Sequence, residues 1–147
     1  MKKSDAEKLS EIFGSQEFKF NGLSVETTIK IVQTQIVVDP IKEELIAAQQ
    51  KGAKQFISPR LKELSELVES GKVMVDSEEA MEFKKLESEF INNMSQLLDP
   101  IASEEVNITI PAFSKKDFED ICKANDFKGM TPKLIYTLLV KEEVAAN

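Results

Sequence analysis

The chain of 147 residues contains no histidine. Histidine is the commonest general base and the commonest zinc ligand, and it completes the Ser-His-Asp and Cys-His arrangements of nucleophilic catalysis. A single cysteine, Cys122, also leaves too few ligands for a structural zinc site or an iron–sulfur centre. We therefore predict a protein that is not an enzyme and that has no catalytic residue, no metal ligand and no cofactor.

Glycine is scarce as well, and its positions exclude the usual phosphate-binding loops. The five glycines are too dispersed for a Walker or dinucleotide-binding motif. Carboxylates are abundant, yet the pairs Glu78-Glu79 and Glu104-Glu105 lie in no EF-hand pattern. We interpret these carboxylates as solvated charges at helix ends and in loops.

Features of secreted and membrane proteins are also missing. One cysteine cannot form an intramolecular disulfide, so a reducing compartment is expected. The residues after Met1-Lys2-Lys3 are polar, without the apolar stretch of a signal peptide, and no run of about 18 apolar residues is present. We predict a cytoplasmic protein without membrane contact, in which Cys122 is a buried and inert thiol beside Phe118 and Ile121.

The net charge of −7 and the pI of about 4.8 oppose binding to a nucleic-acid duplex, which depends on phosphate neutralisation. An acidic balance is an ordinary aid to solubility, and mimicry of DNA is the weaker alternative. The length and the 41% hydrophobic content fit a single domain over residues 1–147. Long helices with little behind them favour a homo-oligomer, although a monomer of this length can also be stable.

The first segment, residues 1–22, is predicted to be a short helix followed by a turn. Ser4 and Glu7 form a capping box, Gly14 suits a left-handed helix end, and Asn21-Gly22 is a turn signal after the strand-like residues 18–20. An apolar stripe supports the helix and consists of Ala6, Leu9, Ile12 and Phe13.

The next segment, residues 23–38, is ambiguous between helix and strand. Its many β-branched residues favour strand on propensity, with a β-hairpin through Asn21-Gly22 as the result. Ser24 is a plausible helix cap, and four apolar residues at spacings of four, three and four fall on one helical face, namely Val25, Ile29, Val32 and Ile36. We favour the helix, and Pro40 then either kinks it or begins a new helix capped by Asp39.

The whole region 23–99 is predicted to form a long helical hairpin, with two arms that face each other across Ser70-Gly71-Lys72. The first arm restarts at the cap Ser58-Pro59, and Gly71 ends it. The second arm begins near Asp76 or Ser77 and stops at Asp99-Pro100. Its stripe is predicted to form the hairpin core and consists of Phe83, Leu86, Phe90, Met94 and Leu97.

The last segment, residues 100–147, is predicted to contain a strand and two short helices. Residues 106–110 alternate between apolar and polar, which indicates a half-buried strand paired with residues 18–20 or 73–75. Ser114 with Asp117 caps one helix, Thr131-Pro132 opens the next, and the tail from Lys141 is expected to fray. The predicted fold class is thus mainly α, with a small β ribbon.

A run of basic residues in the first arm is the candidate ligand site. It contains the only arginine of the chain, Arg60, together with Lys42, Lys51, Lys54 and Lys62. Ion pairing with neighbouring glutamates is the simpler interpretation. The functional alternative is an anion pocket in which Arg60, Lys51, Lys54 and Lys62, contributed by neighbouring copies, bind a phosphate-bearing molecule.

The order of these parts resembles small helical-hairpin proteins encoded by tailed bacteriophages. The resemblance spans about Leu23 to Val140 and includes residues 104–111, the segment Ser114 to Phe118 and the closing helix after Thr131-Pro132. It implies a viral accessory role in particle assembly or in blocking a host function, in the cytoplasm of the host bacterium. A bacterial adaptor of similar shape would show the same pattern.

Two functions follow from these observations. The first is a non-enzymatic helical protein that acts through contacts with an unidentified protein partner or with copies of itself. The alternative is a small-ligand binder that sequesters a phosphate-bearing metabolite or signalling nucleotide, for example to counter host defence.

Overall fold

A computed structural model of the chain describes residues 1–141 and is mainly helical, which confirms the predicted fold class at that level. The residues expected to fray beyond Lys141 lie outside the described residues. The helices of the described part are α1 (Lys3–Gly14), α2 (Val25–Phe56), α3 (Pro59–Glu69), α4 (Glu78–Ala102), α5 (Lys115–Ala124) and α6 (Thr131–Leu139).

The described part of the chain divides into two compact units, of which the first combines residues 1–44 with residues 103–141. Helix α6 packs against α1 and α5 in this unit. The unit has one contiguous apolar core, formed by Ala6, Leu9, Phe13, Phe18, Ile31, Val38, Ile41, Phe113, Ile121, Ile135 and Leu139. Its two halves, distant in sequence, are therefore held together mainly by hydrophobic burial.

Polar contacts fix α1 against the first half of α2. The Ser10 hydroxyl donates to Asp39 at 2.6 Å, and the Gln35 amide donates to the Phe13 carbonyl at 3.1 Å. The Lys3 ammonium lies 2.8 Å from Glu104 and 2.7 Å from Glu44, and hydrogen bonds to these two carboxylates raise the pKa of Lys3. Helix α1 begins one residue before the predicted cap Ser4, and Asp5, not Glu7, accepts from the exposed backbone N–H of Lys2.

Residues 25–38 are helical, which settles the ambiguity between helix and strand. The Ser24 hydroxyl accepts from the Thr27 backbone N–H at 3.1 Å, as its prediction as a helix cap requires. Helix α2 then continues through Pro40 and neither ends nor restarts there. Buried neighbours at Val38 and Ile41 hold both sides of the proline in the helix, so tertiary packing outweighs the hydrogen bond that proline cannot donate.

The predicted β ribbon is wrong. Residues 106–110 do alternate between half-buried and exposed side chains, but they belong to no strand. Pairing in this region is limited to the isolated bridge between Lys2 and Glu105, where the Val106 N–H donates to the Met1 carbonyl at 2.9 Å. The apolar side chains of the segment pack against the helical core, so burial rather than a neighbouring strand orders it.

Residues 18–20, one of the two expected strand partners, form hydrogen bonds with a side chain and not with a strand. The Asn125 amide accepts from the Lys19 N–H at 2.7 Å and donates to the Lys19 carbonyl at 3.1 Å. Asn125 is buried at the end of α5. One asparagine thus satisfies both backbone groups that a strand would have paired.

The second unit comprises residues 45–102, and in it α3 packs against α4. Ser58 caps α3 by accepting from the Leu61 N–H at 3.0 Å. At the other end of α3, Gly71 has a φ of 72°, and the Lys72 N–H donates to the Leu67 carbonyl, as in a Schellman motif. Both ends of α3 therefore form as the sequence predicts.

Helix α4 is the predicted second arm, but it has no fully buried residue in the described chain. Its stripe does face a neighbouring helix, because an added Cβ on Gly52 would lie 2.7 Å from Leu97 Cδ2 and 3.1 Å from Met94 Sδ. Phe90 is nevertheless only half-buried. The helix also extends past the expected stop at Pro100 to Ala102.

We expect Phe90→Ala to lower the free energy of unfolding by about 1–2 kcal/mol, less than the roughly 3–5 kcal/mol of a fully buried phenylalanine, because part of its ring remains in water. Urea denaturation followed by circular dichroism measures the change. Ile91→Ala, on the exposed side of the same helix, is the control and should change stability by less than about 0.5 kcal/mol. A loss above about 3 kcal/mol at Phe90 would show that this face is covered in solution.

Candidate interaction surface

Arg60 lies at the start of α3, where its guanidinium is already bound by carboxylates. Nε and Nη2 donate to the two oxygens of Glu82 at 2.9 and 3.0 Å, and Nη1 lies 3.3 Å from Glu63. Hydrogen bonding lowers the pKa of Glu82 and raises that of Arg60. The bidentate geometry through which arginine binds phosphate is therefore occupied within the protein.

The three lysines proposed to act with Arg60 are all exposed to water. Lys51 and Lys54 are exposed on the second half of α2, and Lys62 is exposed on α3. Within residues 1–141 none of these three ammonium groups forms an ion pair with a carboxylate. The candidate site thus consists of three solvated lysines and one arginine that two carboxylates already bind.

A second polar cluster lies where α5 begins against α2. Asp117 is buried and accepts from the Lys30 ammonium at 2.6 Å, the Thr27 hydroxyl at 2.7 Å and the Ser114 N–H at 2.8 Å. The Ser114 hydroxyl accepts in return from the Asp117 N–H, which completes the predicted capping box. Every oxygen of this carboxylate is engaged, so we interpret the cluster as a structural link between two helices.

Burial opposes ionisation of Asp117, yet its pKa is lowered. The hydrogen bonds from Lys30, the Ser114 backbone and Thr27 outweigh the cost of desolvation. For Cys122, on the same helix, burial is the cause of the shift, and it raises the pKa of the thiol. A thiol that stays protonated is a poor nucleophile.

The most unusual surface is on the outer side of the first half of α2. Val25, Ile29, Val32 and Ile36 are 76%, 49%, 43% and 68% exposed, respectively. We call these four residues the α2 stripe. They extend over about 16 Å of helix, since each residue adds 1.5 Å. They form a continuous apolar line, whereas single exposed apolar residues are ordinary on protein surfaces.

The stripe is exposed because a different face of α2 is buried. Ile31, Val38 and Ile41 enter the core, and they are accompanied by Thr27 and Thr34. The Thr34 hydroxyl donates to the Lys30 carbonyl within the helix, which lets a polar side chain be buried without an unsatisfied group. Helix α2 is therefore apolar on two sides, although a helix of that kind is normally surrounded by protein.

A shallow cleft adjoins the C-terminal end of the stripe. It has a volume of about 460 Å³ and is lined by Gln33, Ile36, Val37, Thr109, Ile110 and Pro111. The segment mispredicted as a strand forms one wall of this cleft. The apolar surface thus continues from Ile36 of α2 onto Ile110 and Pro111.

Another cavity lies in the first unit, with a volume of about 380 Å³. Phe18, Phe127 and Ile12 line it, and its rim carries Glu11, Glu17 and Asp126 with Lys128 as the basic residue. Three carboxylates against one ammonium repel an anion. This cavity is consequently unsuited to the phosphate-bearing ligand considered from the sequence.

No family model matches the chain, and neither a curated protein nor a solved structure matches it. Among residues 1–141, no three histidine, cysteine, aspartate or glutamate residues come together in a way that could hold a metal ion. In the same range, none of the helices combines the length and the apolar composition of a membrane span.

The spacing of the stripe residues places them on one helical face, but this spacing alone does not tell whether that face is buried or exposed. Both faces of residues 25–38 carry β-branched apolar residues, and Thr27 and Thr34 make the buried face look the more polar of the two. The signal that could have revealed the surface is this excess of apolar residues over what one core-facing stripe requires.

Proposed function

We propose that the protein is a non-enzymatic helical binding protein that acts through protein–protein contacts, with the α2 stripe as its contact surface. The observation that carries the proposal is the exposure of four β-branched apolar side chains in register on a helix whose opposite face is already buried. Leaving this surface in water is unfavourable, and covering it with a partner gains roughly 25 cal/mol for each Å² of apolar area removed from solvent.

The stripe best fits an amphipathic partner helix. Its spacing of four, three and four is the pattern by which one helix packs along another. Gln33 and Gln35 flank its C-terminal half as polar residues without charge, and Glu26 is the acidic residue beside its N-terminal end. A phage accessory role, in assembly or in blocking a host protein, is the context that we propose from the resemblance.

The alternative of a phosphate-sequestering protein lacks comparable support. A phosphate at Arg60 would have to displace Glu82 and Glu63, and each displaced carboxylate would then lie close to the anion. The lysines of the predicted site provide charge without a defined cavity. The exposed apolar stripe therefore supports protein–protein contact more strongly than the basic residues support phosphate binding.

We expect Ile36→Asp to abolish partner capture, because it places a charge in the apolar contact surface at a residue that is 68% exposed, and so at little cost to folding. The full-length protein, immobilised, would be exposed to host cytosol that also contains untagged copies of the same chain, and bound proteins would be quantified by mass spectrometry. Ile91→Asp is the matched control, since it makes the same change at an exposed isoleucine of α4. The variant at Ile36 should lose most of the enriched proteins, and the control should keep them.

Identical capture profiles for wild type and Ile36→Asp would refute the stripe as the contact surface. A circular dichroism spectrum and thermal midpoint close to those of the wild type would show that the variant is folded. If Ile36→Asp unfolds, Val25→Asp replaces it, because a carboxylate in the first turn of α2 interacts favourably with the helix dipole.

A further inference from the structure

We infer that the α2 stripe pairs in antiparallel orientation with the α2 stripe of a second copy of this chain. The inference rests on the proposed function and specifies its partner. A two-fold arrangement uses the same patch on both copies, so one self-complementary stripe is sufficient to build the interface.

The register follows from the spacing of the stripe. An antiparallel arrangement with its axis between Ile29 and Val32 places these two residues opposite each other in the two copies. It also places Val25 of one copy opposite Ile36 of the other. Each layer of the interface then joins an a residue of one helix to a d residue of the other, as knobs-into-holes packing of antiparallel helices requires. All four apolar residues of each stripe are covered.

The polar residues beside the stripe are compatible with this pairing. The register brings Glu26 beside Gln33 of the other copy and Thr28 beside Gln35, so no like charges face each other. The ammonium of Lys30 is already bound by Asp117. The two Glu26 carboxylates lie at opposite ends of the interface, and the two helix dipoles point in opposite directions. A parallel arrangement would bring the two carboxylates together and point both dipoles the same way.

Charge also explains why self-pairing should use α2 rather than α4. Between Glu78 and Phe90, helix α4 carries five glutamates and two lysines. Two copies that met along this helix would bring acidic surfaces together in a protein of net charge −7. Between Val25 and Ile36 the chain has one glutamate and one lysine, so the repulsion there is much smaller.

Cysteine cross-linking tests both the pairing and its direction. In full-length protein with Cys122→Ser, one preparation carries Val25→Cys and another carries Ile36→Cys. In the antiparallel register two Val25 positions lie about 16 Å apart along the interface, beyond the Cα separation of about 4.4–6.8 Å that a disulfide spans. Each preparation alone should therefore stay uncross-linked on air oxidation. Their mixture should form a disulfide between the two variants.

Sedimentation velocity across a hundredfold range of concentration gives an independent reading. The wild type should shift from monomer to dimer, and Ile36→Asp should raise the dissociation constant by at least about tenfold, which corresponds to about 1.4 kcal/mol. Ile91→Asp should leave the constant unchanged. A folded Ile36→Asp protein that still dimerises like the wild type would overturn the inference.

The cross-linking outcomes separate the two proposals. A disulfide in either separate preparation would overturn the antiparallel register. No disulfide in the mixture, together with a monomer at all concentrations, would overturn self-pairing. In that case loss of captured proteins by Ile36→Asp would still support the proposed function with a different partner, and unchanged capture would overturn that as well.

Discussion

Phe113→Ala should lower the free energy of unfolding by about 3–5 kcal/mol, the range for deletion of a buried aromatic ring. Phe113 is 1% exposed and lies in the core of the first unit. Its backbone bridges the end of α6, where its N–H donates to the Leu139 carbonyl at 3.0 Å and its carbonyl accepts from the Lys141 N–H. Because alanine keeps these backbone bonds, the loss measures the side chain alone.

Chemical denaturation followed by far-ultraviolet circular dichroism measures this loss. Phe20→Ala is the matched control, because it removes the same ring from a position that is 38% exposed. Its cost should be about 1 kcal/mol or less. Equal losses at the two positions would contradict the placement of Phe113 in the core.

Asp117→Ala should cost about 3 kcal/mol. It removes a helix cap, which contributes about 1 kcal/mol, and charge-assisted hydrogen bonds in the range of about 1.5–3 kcal/mol. The Lys30 side chain is 29% exposed and can partly rehydrate, which keeps the cost below that of breaking a fully buried pair. Asp120→Ala removes a carboxylate 3.7 Å from an exposed lysine on the same helix, and it should cost less than about 1 kcal/mol.

The contribution of Asp117 should also depend on pH in one direction. Its pKa is lower in the folded than in the unfolded protein, so the stabilisation is complete above the unfolded value of about 3.9 and is lost as the pH falls toward the folded pKa. The stability difference between the wild type and Asp117→Asn should therefore be constant from about pH 6 to 7 and shrink below about pH 4. A difference that grew in acid would contradict the proposed charge network.

Local signals in the sequence predicted local structure well. Ser24, Ser58, Ser77 and Ser114 each accept from the N–H three residues later, as helix caps do. The donor and the acceptor of each cap lie within one helical turn, so a short stretch of sequence contains both partners of the hydrogen bond. The same holds for Gly71, whose left-handed conformation requires no distant partner.

Predictions that depended on distant neighbours were less successful. Pro100 was expected to stop a helix, but it lies within α4, and of the two alternatives at Pro40 the start of a new helix is wrong, because α2 continues through it. The alternating segment 106–110 was expected to pair with a strand, yet Asn125 satisfies residue 19 and the helical core receives the apolar side chains. At Pro40 and in segment 106–110, burial against residues distant in sequence stabilises a conformation that the local preference disfavours.

In the candidate phosphate site, too, the basic residues could be predicted from the sequence, but their partners distant in sequence could not. The sequence identifies Arg60 and several lysines as a basic run, and it also contains the glutamates that neutralise it. Whether the guanidinium is free or bound depends on Glu82, which lies 22 residues further along the chain on another helix. No pattern within the first arm could reveal that contact.

The sequence by itself determined the absence of histidine chemistry, the helical character of the chain, the helix caps at Ser24, Ser58, Ser77 and Ser114, and the heptad spacing of the α2 stripe. Each of these depends only on residue identity or on neighbours within a helical turn. Only the tertiary structure decided which face of α2 is buried, because Ile31, Val38 and Ile41 meet core residues from both ends of the chain. That choice leaves Val25, Ile29, Val32 and Ile36 in water, since a helix can place only one of two apolar faces against a single core.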